Sequence, residues 1–544
     1  MQQAVWPVGR CATMDIISQV AKAHAPVAGV LTGSWLFMLF TTLGLIASEF
    51  FSVNIELLSQ RLGLNDSTMG ATLLAVVNAL PDIFSTFRTV QAGVGNLAIG
   101  ELLGAAIFLV TIVGGGVMIT SPFRVDPPAF FRDTGVLFIA TVSILVCLYV
   151  GAISLVVCAW LLMLFVVFVV LVIMMRNSDE TGETEPLFPQ ETHDVESPVL
   201  AGRYSLLAAM EFSELAEDMR RTDSDNSLGL SVSRESDPLC TYIRASREEH
   251  SPIITAPQIS VTDGPSTLHI ICHALFPSLC NWSDRSTYGK VVSTICVPPL
   301  LVLRATVPAP AGVSERVENI THEHEHPDQL RMYEQHLLNA IQGVLTPVFV
   351  IWGTGATINN VPQWVLMVLV GCAGFFGRRI LEHSLIRGFT GFFVGSLWII
   401  ITVDEVVRGI LLLGKLTNSS ETLLGFTVFT FGNSIGDVVT NFAVARMGHP
   451  LMSLSACFAC PLVNILLGIG LSCAWMQLGK SAAYPVATNP SMLLSCAILT
   501  CTLATMLIAV PLFGYNVGRP LGLLLITIYL VFMCFTVAFE FAIS

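Results

Sequence analysis

The chain has 544 residues, 53% of them hydrophobic and only 12% charged, with a mean hydropathy of +0.72 and a formal net charge of −13. A soluble globular protein carries about 25% charged residues; the composition therefore excludes a soluble enzyme of ordinary type and, with no basic surface, a nucleic-acid binder. The charge is uneven: residues 176–290 hold 19 acidic and 9 basic side chains, which leaves a net of only −3 for the rest of the chain.

A helix that crosses a bilayer needs about 20 apolar residues. In chain order such runs lie at 32–52, 68–90, 97–120, 133–150 and 152–175, and then at 338–356, 362–377, 391–414, 422–446, 450–475, 491–513 and 520–541. The expected fold is an all-α integral membrane protein of about twelve transmembrane helices. It divides into an N-terminal segment (1–31), a first five-helix unit (32–175), an acidic central loop (176–335), two additional helices (336–390) and a second five-helix unit (391–544). The long hydrophilic loop is rich in Ser, Thr, Glu, Asp and Pro, a composition of disorder. Within it, 291–308 is apolar but broken by Pro298, Pro299 and Arg304, and reads as an interfacial segment. The HEHEH tract at 322–326 reads as a solvated stretch or, alternatively, as a zinc-sensing one. With the loop placed inside, Arg61, Arg124, Arg132, Arg176, Arg378, Arg379, Arg387, Arg446 and Arg519 all fall inside, as the positive-inside rule requires; inside is then cytosol or matrix.

The chain repeats itself. GATLLAVVNALPDIFSTF (70–87) aligns with GFTVFTFGNSIGDVVTNF (425–442) at a constant offset of 355 residues, matching Gly70 with Gly425, Thr72 with Thr427, Asn78 with Asn433, Asp82 with Asp437 and Phe87 with Phe442. These identities fall mostly on polar and small residues, the rare ones in an apolar helix. Each block leads into a second glycine-ended helix, 97–116 and 452–470. Five helices is an odd number and two more intervene, so the two units are expected to be inverted, a signature of secondary transporters that bind near the midplane.

Asn78, Asp82 and Ser85 stand at i, i+4 and i+7 and share one helix face; Asn433, Asp437 and Thr440 do the same. Facing each other, the two sets supply two carboxylates, two amide oxygens and two hydroxyls, an all-oxygen site for a hard cation. Two carboxylates balance one Ca²⁺ or two Na⁺. Pro81 and Gly436 precede the aspartates and loosen the helices there. An intramembrane Asp is costly without such a role.

VNALPDIFS (77–85), LAIGELLGAAIFLVTIVGGG (97–116) and 431–470 resemble the repeats of the calcium/cation antiporter superfamily, most closely its mitochondrial sodium/calcium (lithium) exchanger branch. The resemblance implies alternating access, with Ca²⁺ and Na⁺ (or Li⁺) as cargo and the lipid bilayer as surroundings, and no resident cofactor or enzymatic chemistry. It implies the mitochondrial inner membrane, another organellar membrane or the plasma membrane. Position by position, it assigns Asp82 and Asp437 as central acidic ligands and Asn78, Asn433, Thr72, Thr427, Ser85 and Asn464 as polar ligands. The sequence departs from the wider superfamily at Ala105-Ala106 and Cys460-Pro461, where a Ser-Asn or Ser-Asp pair is usual, and at Leu109, which stands opposite Asn464. The site has thus lost oxygens, which argues for fewer Na⁺ sites. Glu101 is expected at the mouth of the path, or alternatively as a restored ligand. Cys457 and Cys460 read as small packing residues or, alternatively, as a redox control, and Glu405 as the partner of Arg408 or, alternatively, as part of a proton or cation relay. A Ca²⁺/H⁺ antiporter is the alternative within transport. An intramembrane aspartyl protease is the alternative outside it, disfavoured because a peptidase has no use for the paired Asn78 and Asn433.

Overall fold

The computed structural model describes residues 24–51, 68–179, 287–308, 328–355, 363–377, 383–446, 450–478, 483–486 and 489–543, together with isolated residues between 14 and 20, Asn54 and residues 275–276. The HEHEH tract and most of the expected central loop lie outside the described residues, as do the side chains of Thr72 and Asn78.

The first half contains α1 (Ala25–Leu45, continued by a π-helical turn Ile46–Phe51), α2 (Thr68–Gln91), α3 (Gly95–Thr120, with a π-helical turn at Leu109–Val113), α4 (Pro127–Val150) and α5 (Leu155–Asp179). Next come α6 (Thr287–Thr306), α7 (Asp328–Thr354) and α8 (Gln363–Phe376). The second half contains α9 (Ser384–Thr417) and α10 (Glu421–Leu424, π-helical Gly425–Phe429, Thr430–Arg446). It ends with α11 (Pro450–Val463, π-helical Asn464–Ile469, Gly470–Gln477), α12 (Pro490–Leu512) and α13 (Arg519–Ile543). Four two-residue strands punctuate the loops: Phe123–Arg124 (β1), Ala152–Ile153 (β2), Tyr484–Pro485 (β3) and Asn516–Val517 (β4). β1 pairs with β4 and β2 with β3, both antiparallel.

Local chemistry sets the helix ends. Asp126 caps α4 by accepting from the Ala129 N–H at 3.3 Å, with proline at the first helical positions, and Gly151 ends the helix in the left-handed conformation at φ 78°. Asn489 and Pro490 start α12 in the same way, and Ser420 caps α10 through the Leu423 N–H at 3.2 Å. Among the described residues, nine helices are long and apolar enough to cross a membrane. Their outward faces are apolar too: Val156, Trp160, Met163, Val166, Val170 and Met174 are all exposed along α5. A stripe of that kind is stable against lipid and not against water. The chain is an all-α, multi-pass membrane protein.

Two apolar cores flank the middle of the molecule. One is built from α3, α4 and α5 with α11, α12 and α13; the other from α1, α6, α7 and α9. α6, the segment read from sequence as interfacial, is a helix that runs through Pro298 and Pro299 and buries Cys296, Leu300 and Leu303 against α1 and α7. Its last carbonyls are satisfied from α7: Gln342 donates to the Arg304 carbonyl at 2.9 Å and Thr346 to the Thr306 carbonyl at 2.7 Å.

Between the cores lie α2 and α10, and glycines let α10 approach α3 closely. A Cβ on Gly425 would stand 2.9 Å from the Leu97 carbonyl oxygen and 3.1 Å from the Glu101 nitrogen, and one on Gly100 would stand 3.2 Å from the Thr422 carbonyl oxygen. Backbone cannot yield as a flexible side chain does, so Gly425→Val is expected to cost about 1–3 kcal/mol through overpacking. A lowered thermal unfolding midpoint in detergent, relative to the parent protein, checks this.

Candidate functional site

The site is built where α2, α3, α10 and α11 meet. On α2, Pro81 has no N–H to give the carbonyl one turn back, and Asp82 follows it directly. On α10 the π-helical turn precedes Asn433, and Gly436 precedes Asp437; π-helical turns recur at functional positions in helices. The backbone carbonyl of each aspartate is held by the residue one turn on. The Thr86 hydroxyl donates to that of Asp82 at 2.9 Å, and the Asn441 amide to that of Asp437 at 2.8 Å. Thr86 and Asn441 are themselves matched by the offset that relates the aspartates.

Asp82, Asp437 and Cys460 each bring one ligand atom within 4.8 Å of the others. Asp82 Oδ1 accepts from Asn433 Nδ2 at 2.7 Å and Oδ2 accepts from Asn464 Nδ2. Asn433 Nδ2 also donates to Glu101 Oε1 at 2.9 Å, and Ser85 Oγ lies 3.3 Å from both Glu101 carboxylate oxygens. Ser85 and Glu101 are fully buried, at 0% and 1% exposure. Among the described residues the Asp437 carboxylate accepts no hydrogen bond, whereas that of Asp82 accepts two.

The geometry thus gathers Asp82, Asp437, Asn433, Asn464 and, through Glu101, Ser85. The Thr427 hydroxyl is spent on the Leu423 carbonyl of its own helix at 2.7 Å, and no hydrogen bond among the described residues ties Thr440 to the group. Two residues with other expectations join it. Glu101 lies inside the site, and the Cys460 sulfur stands beside both aspartates. The expected Glu405–Arg408 pair is present at 3.2 Å, while Asp404 takes the Arg88 guanidinium and so ties α9 to α2.

Electrostatics gives the arrangement a direction. Two carboxylates this close repel, strongly so where water is scarce, and a cation between them converts repulsion into attraction. One further acceptor is ready: Asn464 Oδ1 is buried and has no hydrogen-bond partner among the described residues. Buried acceptors are seldom left orphaned, and a cation would satisfy this one. Carboxylate and amide oxygens are ligands for hard cations such as Ca²⁺ and Na⁺. Asn464 opens the π-helical turn of α11; the matched residue, Leu109, opens that of α3 and offers no oxygen.

Over 95% of its length the chain is 29% identical to the mitochondrial sodium/calcium exchanger protein of Mus musculus, of which the match covers 83%. Among solved structures it is similar to the sodium-calcium exchanger NCX_Mj (14% identity, TM-score 0.38, 92% of this chain and 98% of that one). It is also similar to the H⁺/Ca²⁺ exchanger CAX (10% identity, TM-score 0.41, 98% and 92%). The model of the sodium/calcium exchanger protein family matches residues 32–174 and 387–538, more than half of the chain and both Asp helices. The chain belongs to the sodium/calcium exchanger protein family.

Proposed function

We propose that the protein is a secondary active antiporter that exchanges Ca²⁺ for Na⁺ or Li⁺ by alternating access, with Asp82 and Asp437 holding the divalent cation between them. The observation that carries this reading is the approach of two sequence-matched aspartates from separate halves of the chain, with the orphaned Asn464 oxygen beside Asp82. Asn433, Asn464, Ser85 and, from the repeat, Asn78, Thr72, Thr427 and Thr440 are the polar residues of the same transport site, with the Thr427 hydroxyl donating to its own helix.

The twelve-helix architecture with inverted halves has several supports. α4 starts beside β1 and ends beside β2, while α12 starts beside β3 and ends beside β4. A helix of 24 residues is about 36 Å long, so the β1–β4 and β2–β3 pairs belong at opposite faces. α3 then runs towards one face and α11, its match in the repeat, towards the other. The packing follows the same exchange: α1 packs on α9, α4 on α12, α3 on α13 and α11 on α5. The π-helical turns of α3 and α11 begin at matched residues, Leu109 and Asn464. An inverted pair of this kind gives two states of equal design that open to opposite sides.

The relatives named as mitochondrial exchangers support a mitochondrial membrane for this chain as well. Purified full-length protein in proteoliposomes, loaded with isotopic Ca²⁺, decides the coupling ion. Release is expected on an imposed Na⁺ or Li⁺ gradient and not on a pH gradient alone. Equal release driven by pH with Na⁺ and Li⁺ absent would overturn sodium coupling in favour of proton coupling.

A further inference from the structure

Glu101 has no counterpart in the second half, where Ala456 occupies the matched position. It is 1% exposed, on an apolar helix that reads as membrane-spanning. Its carboxylate is met by two neutral donors, Ser85 Oγ and Asn433 Nδ2. No Lys or Arg pairs with it among the described residues. Arg88, the basic residue of α2, is taken by Asp404 and Gln91. One amide nitrogen bridges Glu101 and Asp82, so their carboxylate oxygens lie within about 6 Å of each other.

A buried carboxylate that accepts only from neutral donors gains stronger hydrogen bonds from its charge, but no opposite charge offsets the cost of its desolvation. An acid kept there is explained by a positive charge that visits it. Asp82 and Asp437 already match the charge of one divalent cation. A third carboxylate is one charge too many for Ca²⁺ alone, and it fits a monovalent ion held between Glu101, Ser85 and the Asp82 side of the site.

We propose that Glu101 is a third anionic ligand of the transport site and forms, with Ser85, a subsite for the monovalent cation that drives exchange. This rests on the exchanger reading and deepens it: the oxygens missing at Ala105, Ala106 and Leu109 are replaced by one acid from a different turn of the same helix. The divalent ion binds chiefly at Asp82 and Asp437, and the monovalent ions use all three carboxylates. Glu101 therefore sets the affinity for the driving ion rather than for Ca²⁺.

The test compares two modes of release from proteoliposomes loaded with isotopic Ca²⁺, one driven by external NaCl and one by external unlabelled CaCl₂. The second mode needs no monovalent ion. In Glu101→Gln, which keeps an acceptor for Asn433 and removes the charge, the ratio of sodium-driven to calcium-driven release is expected to fall about tenfold or more. Ser85→Ala is expected to lower the same ratio by a smaller factor, and it decides the matter if Glu101→Gln does not fold. An unchanged ratio would overturn the proposal, because it would make Glu101 a neutral or merely positioning acceptor. Asp82→Asn separates the two levels of inference. Loss of both modes in Asp82→Asn with an unchanged ratio in Glu101→Gln sinks only the monovalent subsite. Survival of both modes in Asp82→Asn sinks the site reading itself.

Discussion

Asp82→Asn and Asp437→Asn are each expected to abolish exchange while leaving expression and membrane insertion intact. The substitution is nearly isosteric, so packing around α2 and α10 is preserved and the loss is one of charge. Removing one partner from a buried charge pair costs about 3–5 kcal/mol, which corresponds to a fall in divalent affinity of about a hundredfold or more. The two variants are expected to differ in stability. Asp82 accepts from both Asn433 and Asn464, so an amide in its place sets its own NH₂ against one of those two donors, whereas the Asp437 carboxylate accepts from no described residue. Asp82→Asn should therefore be the less stable of the two when isotope flux and detergent melting are measured on the same preparations. Robust exchange in either variant would place the ion elsewhere.

Asn464→Leu carries the second large effect. It removes the orphaned oxygen and, in the same stroke, the donor to Asp82 Oδ2. Leucine is what the first half of the chain has at the matched position, where Leu109 begins a π-helical turn of the same kind, so the backbone is expected to tolerate it. The loss of a ligand and of a hydrogen bond to a charged group, about 1.5–3 kcal/mol, should raise the Ca²⁺ concentration for half-maximal uptake by about tenfold to a hundredfold. Half-saturation measured by initial rates of uptake checks this; an unchanged value would show that Asn464 serves Asp82 alone and never meets the ion.

Part of this architecture is legible in the sequence and part is not, for physical reasons. The apolar runs that become α3, α4, α5, α12 and α13 are unambiguous, because lipid leaves few other uses for such stretches. The aspartates announce themselves because Asn and Asp are rare in such helices and recur at one offset. Depth along a helix is harder to read. Glu101 lies only a few residues inside α3, and the sequence suggests the mouth of a path. Its place in the site follows from the close crossing of α3 and α10 that Gly100 and Gly425 permit, a contact between residues more than half the chain apart. Cys460 is hidden for a different reason: a thiol counts as apolar in any hydropathy pattern, and only the packing of α11 brings its sulfur to the carboxylates. Thr427 shows the converse. It is matched by the repeat, yet a helical hydroxyl bonds back to its own helix by default, and here it does so.

The claim that both halves of the chain hold one ion is tested most directly by an experimentally determined structure of the full-length protein with Ca²⁺, or with Sr²⁺ as its heavier stand-in. The account predicts a single cation with oxygens of both Asp82 and Asp437 at about 2.3–2.6 Å and with Asn464 Oδ1 turned towards it. A cation bound away from both aspartates, or carboxylates more than about 15 Å apart in the ion-loaded state, would contradict it, since no single ion spans that distance.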